Sequence, residues 1–528
     1  MSLTLGEYLR FLLPRDLDNP PAWPPDMFAI CASLLLKSGS YCSVLTDWPP
    51  AKYKETESWA DEARSLGLKW REDWVASKSV PEDIVALWKS LTTTANLARP
   101  LSDFAHNVEL WQVTLQLFVF ADEACAGVGS PPVSDDTPMD RTFMRRAAEL
   151  LSRMGHYSLG DEIDAGRVRV LPKMHTPQTG LTIRSFSMYL ALCNPSEVVP
   201  QWVNPRYQFP DDSLNLLLVP WPLEIYPIQF RASRALATET RNIDKDRFGL
   251  FTVDPLKRPG DIMTLVTKLL DAANEHIGRV DGIVLPEAAV TPAQHEAIAK
   301  FAGDNKIFLV SGVATVPEGG TPGCNQVSIN LPFNEELVQK KHHRWKLDES
   351  QINQYGLGSI LHPEREWWEH IGIVDRCFIF AAVNSDMVLA ALICEDLARP
   401  DPVGDLVRAV GPNLVIALLM DGPQLNERWS GRYATVLADD PGCSVLTLTS
   451  LGMSKLSRPR SGPSRSNVIG LWKDAKNGVP QEIELDAGAQ GVLLSITMRH
   501  EEEWSADGRS DGGYAIYPVL SGIHCLKI

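Results

Sequence analysis

The stretch MVLAALICEDLARP (387–400) places a cysteine at the end of an apolar run, directly before a charged turn. The run from Met387 to Ile393 has the length and composition of a buried strand. The carboxyl ends of strands are where α/β sheets place their functional groups. Cys394 is therefore a candidate nucleophile, because a thiolate attacks carbon readily. The alternative is a small residue of the core, which is the usual environment of a free cysteine.

A second strand-end motif lies upstream, in GIVLPEAAVT (282–291). An apolar run reaches Pro286 and is followed by Glu287. A carboxylate at the end of a buried strand loses hydration, which raises its pKa toward that of a useful general base. Glu287 is the candidate base, and the alternative is an N-terminal cap or first-turn acid of the following helix.

The stretch between these two motifs supplies candidate cations. ELVQKKHHRWKLDES (336–350) contains a short strand that carries Lys340 and Lys341 near its end. An ammonium beside a thiol can stabilise an oxyanion and keep the thiol ionised. Because successive strand residues point to opposite faces, only one of the two lysines can face a pocket. The alternative is a solvated basic strand end, and the adjacent His342 and His343 make a poor metal site for the same geometric reason.

The order of these motifs resembles that of the carbon–nitrogen hydrolase (nitrilase) superfamily over about residues 210–500. The motifs here are L-P-E at 285–287, then the lysine, then I-C-E-D at 393–396. The resemblance implies an α/β fold, a four-layer α-β-β-α sandwich, and a Glu-Lys-Cys triad that forms a thioester from an amide or nitrile. It assigns Glu287 as the base, Cys394 as the nucleophile and the lysine as the oxyanion stabiliser. This chemistry needs no metal or organic cofactor.

The resemblance also bears on which lysine and which second carboxylate take part. The family pattern of an aromatic or polar residue, x, Lys, x, His fits both Lys340 and Lys341. The following run K-H-H-R-W favours Lys341, and Lys340 stays open as the alternative. Many family members use a second glutamate after the lysine, for which Glu349 is the nearest candidate, with Glu364 and Glu366 behind it.

The long stretch 352–376, between the lysine and the cysteine, departs from the family pattern. We expect it to line or cover the substrate pocket. Its Trp367-Trp368 pair either packs on substrate or serves ordinary loop packing.

The secondary structure that the sequence predicts changes along its 528 residues. Residues 1–165 have helical patterns, and VELWQVTLQLFVFADEA (108–124) is apolar nearly all round, which predicts a buried helix. We expect 1–165 to be a helical accessory domain, the proline-rich 166–210 a linker or edge segment, and 211–528 the nitrilase-like domain. The helical part weakly resembles modules of bacterial conflict and antiviral defence proteins, through PPDMFAICASLLLKSGSYCSVL (24–45). That resemblance implies an alternative function, a partner-regulated effector or assembly scaffold with a protein partner on the helical domain.

Composition narrows the class of protein. Acidic residues outnumber basic ones by 66 to 50, and a net charge of −16 disfavours broad direct binding of nucleic acid. Nine cysteines without a C-x-x-C pair indicate a reducing compartment. The N-terminus lacks the features of a secretory signal, and no apolar run is long enough to span a membrane. We expect a cytoplasmic enzyme with a small-molecule substrate and, by resemblance, a homo-oligomer.

Overall fold

The chain forms two compact units. The first comprises Met1–Asn204, Asp405–Pro412 and His500–Ile516, and the second comprises Pro205–Gly404, Asn413–Arg499 and Tyr517–Ile528. The first unit thus extends beyond the expected helical domain 1–165 into the expected linker 166–210, and it takes two segments from the expected domain 211–528. Residues 44, 45 and 211, which belong to those expectations, lie outside the described residues. The computed structural model describes residues 3–43, 48–49, 56–131, 137–210, 212–233, 244, 246–255, 260–457, 466–476, 478–509 and 514–528.

The first unit is mainly helical. Its helices are α1 (Leu5–Leu12), α2 (Pro24–Ser38), α3 (Thr56–Ser77), α4 (Glu82–Leu91), α5 (Thr94–Leu97), α6 (Val108–Glu123) and α7 (Pro138–Ser152), with short 3-10 helices at Ser40–Ser43, Leu101–His106 and Ile183–Phe186. Helix α6 is buried nearly all round and contacts α2, α3 and α4, which confirms the prediction for 108–124. Strands β1 (Arg169–Pro172) and β2 (Leu190–Cys193) form an antiparallel pair, and β3 (Val199–Val203) follows. Within the described ranges, no helix is both long enough and apolar enough to cross a bilayer.

A cluster of buried charges lies inside the first unit. Arg509 is 1% exposed and donates hydrogen bonds to Asp507 Oδ2 at 2.8 Å and to the carboxylate of Glu123. Asp122 lies 3.6 Å from the same guanidinium and accepts hydrogen bonds from three successive backbone amides. Charges removed from water are tolerated only when they are paired and hydrogen-bonded. The late segment of this unit therefore supplies the cation that neutralises two acids of α6.

Two β-sheets packed face to face form the centre of the second unit. The first has the strand order β10-β9-β8-β7-β4-β19-β20, and the second contains β18-β17-β16-β15-β14-β13. The strands are β4 (Ser213–Leu218), β5 (Phe230–Ala232), β6 (Phe248–Val253), β7 (Gly282–Val290), β8 (Phe308–Thr315), β9 (Cys324–Asn330), β10 (Leu337–Lys340), β11 (Lys346–Leu347), β12 (Glu366–Glu369), β13 (Cys377–Ala382), β14 (Val388–Ile393), β15 (Leu414–Leu419), β16 (Ser444–Thr449), β17 (Val468–Lys473), β18 (Gln481–Glu484), β19 (Gly491–Glu502) and β20 (Tyr514–Leu526).

Helices cover the outer faces of the two sheets. The later helices are α8 (Ile262–Ile277), α9 (Pro292–Asp304), α10 (Glu349–Gln354), α11 (Glu395–Ala398), α12 (Gly404–Val410), α13 (Trp429–Asp439) and α14 (Leu451–Leu456), with a 3-10 helix at Pro227–Gln229. Of these, α12 belongs to the first unit from Asp405 onward. Helices α8 and α9 pack on the first sheet, and α13 packs on the second. The predicted α/β fold with α-β-β-α layers is confirmed.

The central strands run parallel and are buried along their length. Strands β4, β7 and β8 are parallel in the first sheet, as are β14, β15 and β16 in the second. Such strands are shielded on both faces, which is why their sequences are nearly continuous apolar runs. Strands β13 and β14 pair antiparallel and form a hairpin that leads to the cysteine. The candidate site lies where the parallel pairing of β7 with β8 is interrupted and at the carboxyl end of β14.

A third, small sheet has the order β11-β12-β6-β5. It belongs to an apolar cluster that includes Phe251, Trp345, Tyr355 and Trp367. Trp367 is 6% exposed, and a Cβ on Gly249 would lie 2.5 Å from its ring. Of the two alternatives left open for this tryptophan, the structure shows core packing.

Candidate active site

Cys394 occupies a strained position between β14 and α11. Its backbone has φ 48° and ψ −108°, and its N–H donates to Leu418 O at 2.9 Å. A residue other than glycine in this region costs about 1–3 kcal/mol, and such strain is concentrated at functional sites. The residue is 4% exposed. The turn thus holds a buried thiol at the carboxyl end of a parallel strand.

Glu287 lies in an interruption of β7. The pairing of β7 with β8 shifts register between Leu285 and Val290, and Ala288 has φ 48°. On β8, Gly312 faces this interruption: a Cβ there would lie 2.2 Å from the carbonyl oxygen of Pro286. The absent side chain lets the Glu287 segment bulge inward, where the carboxyl group is 2% exposed.

Lys341 brings two acids together. Its Nζ donates to Glu287 Oε1 at 2.7 Å and to Glu369 Oε2 at 2.8 Å, and its side chain is fully buried. Lys340 points elsewhere, since its Nζ lies 3.3 Å from Asp375 Oδ2 and its side chain is 35% exposed. The structure therefore brings Lys341, and not Lys340, to the carboxylate of Glu287.

Glu369, at the end of β12, is the second carboxylate at the lysine. Asn325 Nδ2 donates to Glu287 Oε1 and to Glu369 Oε1, each at 2.8 Å, and Trp345 N donates to Glu369 Oε2 at 3.0 Å. Sequence reasoning missed both Glu369 and Asn325. Glu349 is not part of this cluster: it is the exposed first residue of α10, and helix geometry turns it toward solvent.

The two other acids considered for this role are also elsewhere. Glu366 lies 2.8 Å from Lys346 Nζ, in an ion pair whose side chains are partly exposed. Glu364 is exposed. On β12, exposure alternates along Glu366–Glu369, so Glu369 shares the buried face with Trp367. An acid on the apolar face of a short strand was the signal that could have identified it.

Burial sets the protonation of the cluster. Burial raises the pKa of Glu287, with Lys341 lowering it and Glu369 raising it. Burial alone would lower the pKa of Lys341, but the two carboxylates raise it well above its usual value. Burial also raises the pKa of the Cys394 thiol well above its usual value; Glu287 adds to this rise and Lys341 opposes it. The expectation that the lysine keeps the thiol ionised is therefore wrong: one ammonium is shared by two carboxylates, and the thiol stays neutral.

One carboxylate oxygen remains available for proton transfer. Glu287 Oε2 is buried and has no hydrogen-bond partner among the described residues, whereas Oε1 accepts from Lys341 and Asn325. A neutral thiol needs a base within reach before it can attack carbon. Glu287 Oε2 is such an acceptor, and the charge of Glu287 acts on the Cys394 thiol.

Asp396 joins the two strand ends of the site. Its carboxylate accepts hydrogen bonds from His342 N at 3.1 Å and from His343 N at 3.1 Å, and His343 Nδ1 lies 2.8 Å from it. Gln339 Nε2 donates to Ala391 O at 2.9 Å. The segment that carries the lysine is thus fixed against the strand and turn that carry the cysteine. In the described part of the chain, no three or more His, Cys, Asp or Glu residues form a group that could hold a metal ion.

Comparison with known proteins finds likeness only among solved structures. No family model and no curated protein matches the chain. An amidase from Nesterenkonia sp. is 14% identical, with a TM-score of 0.33, over 55% of this chain and 92% of that chain. Nit3 of Saccharomyces cerevisiae, a member of branch 10 of the nitrilase superfamily, is 13% identical, with a TM-score of 0.30, over 52% of this chain and 90% of that chain. Because these values are low, the functional conclusion is taken from the geometry of the site.

Proposed function

We propose that this protein hydrolyses a small non-peptide amide or nitrile through a thioester on Cys394. The observation that carries the proposal is the buried ammonium of Lys341, which is hydrogen-bonded to Glu287 and Glu369 and interacts electrostatically with the strained Cys394. Desolvating three charges is costly for stability. Groups with displaced pKa values, gathered at strand ends, are typical of active sites.

In the first half-reaction, Sγ of Cys394 attacks the substrate carbon as its proton passes to Glu287 Oε2. With an amide, the substrate oxygen gains negative charge, which Lys341 Nζ and the backbone N–H of Glu395 stabilise. Collapse of the tetrahedral intermediate breaks the C–N bond, and Glu287 gives its proton to the leaving nitrogen. Ammonia or an amine departs, and the acyl group remains as a thioester. A nitrile first adds the thiol across its C≡N bond to give a thioimidate, and addition of one water molecule with loss of ammonia then gives the same thioester.

In the second half-reaction, water attacks the thioester carbon while Glu287 accepts its proton. The second tetrahedral intermediate breaks the C–S bond. Glu287 then returns the proton to the sulfur, and the carboxylic acid product leaves. Each step uses the same carboxylate as base and then as acid, which suits its raised pKa.

Glu369 takes the role of second carboxylate that the sequence favoured for Glu349. When Glu287 accepts the thiol proton, it loses its negative charge, yet Lys341 keeps a carboxylate partner at 2.8 Å in Glu369. The ammonium therefore stays charged while the oxyanion forms. Asn325, which donates to both carboxylates, keeps their spacing.

The test is ammonia release by the full-length protein from a panel of short amides and nitriles. We expect Cys394→Ala to abolish turnover, and wild-type protein to show an acyl mass increase at Cys394 when it is quenched during turnover. Cys525→Ser, at a partly buried cysteine far along the chain, is the matched control and should retain activity. Turnover by Cys394→Ala equal to that of the control would refute the proposal.

A further inference from the structure

A cleft of about 510 Å³ lies in the first unit. One wall is a face of α7, and the other is formed around Trp202 and Asn204 at the end of β3. The helix contributes side chains three and four residues apart, at Arg141, Met144, Arg145, Ala148, Leu151 and Ser152. A volume of this size is typical of sites for small molecules.

The cleft is basic although the chain is acidic. None of the lining residues that the structure describes is acidic, while Arg141 and Arg145 are both exposed to the cleft. Neither guanidinium has a hydrogen-bond or ion-pair partner in the part of the chain that the structure describes. By contrast, Arg146 on the same helix lies 2.7 Å from Asp161. Like charges one helical turn apart repel each other, so an anion held between Arg141 and Arg145 would relieve that repulsion.

The opposite wall presents an aromatic ring that is fixed in place. The indole N–H of Trp202 donates to Gly129 O at 2.9 Å and to Asn204 Oδ1 at 3.2 Å. Gly129 has φ +91°, and a Cβ on it would lie 3.0 Å from the Trp202 ring. The ring is thus held by its edge and by close backbone packing. A fixed ring is preorganised for stacking, because little motion is lost when a flat ligand binds.

We propose that this cleft binds a nucleoside phosphate, with its base against Trp202 and its phosphate between Arg141 and Arg145. The forked donors of two guanidinium groups match phosphate oxygens in pairs. Aromatic side chains stack on any base, because every base has a π-face. Met144 and Ala148 add apolar surface beside the helix wall for the uncharged part of the ligand.

The test is calorimetric titration of the full-length protein with AMP, GMP, CMP and UMP, and with adenosine and inorganic phosphate alone. We expect at least one nucleotide to bind about tenfold or more tightly than either part alone, since affinity requires both walls. Arg141→Ala with Arg145→Ala should weaken that binding about a hundredfold or more. Arg153→Ala, at an exposed arginine that ends the same helix outside the cleft, is the matched control and should not change it.

Three results would each overturn this proposal. The first is no binding of any nucleotide at about 1 mM. The second is equal binding by the double arginine variant and by the Arg153→Ala control, both checked for folding by circular dichroism. The third is inorganic phosphate binding as tightly as the nucleotides, with no loss in Trp202→Leu, which would indicate an anion site without a base-binding wall. Ammonia release should be unchanged in the arginine variants, because neither residue belongs to the candidate active site.

Discussion

Replacing Gly312 by alanine tests whether the interruption of β7 positions the proposed base. The new Cβ would lie 2.2 Å from Pro286 O and 2.6 Å from Ala288 N and from Glu287 Cα. Real Cβ contacts are not shorter than 3.0 Å, so the Pro286 oxygen has to move by most of an ångström. Displacement of a catalytic group by about 1 Å costs roughly a hundredfold in rate. Overpacking of a core costs about 1–3 kcal/mol in the free energy of unfolding.

The assay compares kcat/KM for ammonia release with the free energy of unfolding in urea. We expect Gly312→Ala to lower kcat/KM about a hundredfold while the protein remains folded at low denaturant. Gly303→Ala is the matched control, because a Cβ there meets nothing within 4 Å and alanine favours the helix in which it lies. If folded Gly312→Ala kept kcat/KM within about threefold of the control, the bulge would not be what positions Glu287.

Three further predictions concern titration and charge. Because burial raises the pKa of Glu287, kcat/KM should fall on the acid side at a pH above about 4.3, the usual pKa of a glutamate. The raised pKa of Lys341 means that this residue adds no fall in kcat/KM on the alkaline side below about pH 10. A fall on the acid side centred below about pH 4.3 would contradict the reasoning. Glu369→Gln should lower kcat/KM at least about tenfold, whereas Glu349→Gln should change it less than about twofold. Equal losses in the two variants would refute the assignment of Glu369 as the second carboxylate. Burial raises the pKa of Asp26 to about 7 from 3.8, so the folded state holds this proton more tightly than the unfolded state, and the free energy of unfolding falls as the pH rises from about 4 to 7. Asp26→Asn should remove that part of the slope in urea titrations, and an unchanged slope refutes the reasoning.

The strand-end residues could be identified from sequence because their signals are local. Glu287 and Cys394 each follow an apolar run whose length and composition fit a buried strand. The structure places Cys394 directly after β14 and Glu287 in the interruption of β7 that follows its parallel pairing with β8. The family pattern fits both Lys340 and Lys341, and the run K-H-H-R-W favoured Lys341. Only the course of the chain after β10 decides which of them reaches Glu287.

Glu369 and Asn325 depend on pairing between distant segments. Glu369 lies 28 residues after Lys341, on a strand whose position is set by parallel pairing with 248–253. Glu349 was favoured because it is near the lysine in sequence, but its helix directs it to solvent. Asn325 alternates with half-buried neighbours on β9 and shares the buried face with Val327. Such a polar residue on a buried face gives a weak local signal.

Local sequence patterns also could not predict which segments of the chain form each of the two units. Residues 405–412 and 500–516 belong to the first unit through tertiary contacts, and nothing in their composition distinguishes them from their neighbours. Removal of residues 1–204 would leave these segments without their unit, so a chain truncated in this way is a poor test of the helical part. A homo-oligomer, a cytoplasmic location and a partner-regulated role in antiviral defence stay predictions.

The buried arginine of the first unit has a consequence for synthesis on the ribosome. Translation delivers helix α6 early, yet Arg509, which neutralises Glu123, follows it by 386 residues. At the usual 5–20 residues per second, that delay is about 20–80 s. During this interval the carboxylate of Glu123 lacks the guanidinium with which it pairs in the folded unit. The part of the protein that emerges first is therefore among the last to be completed.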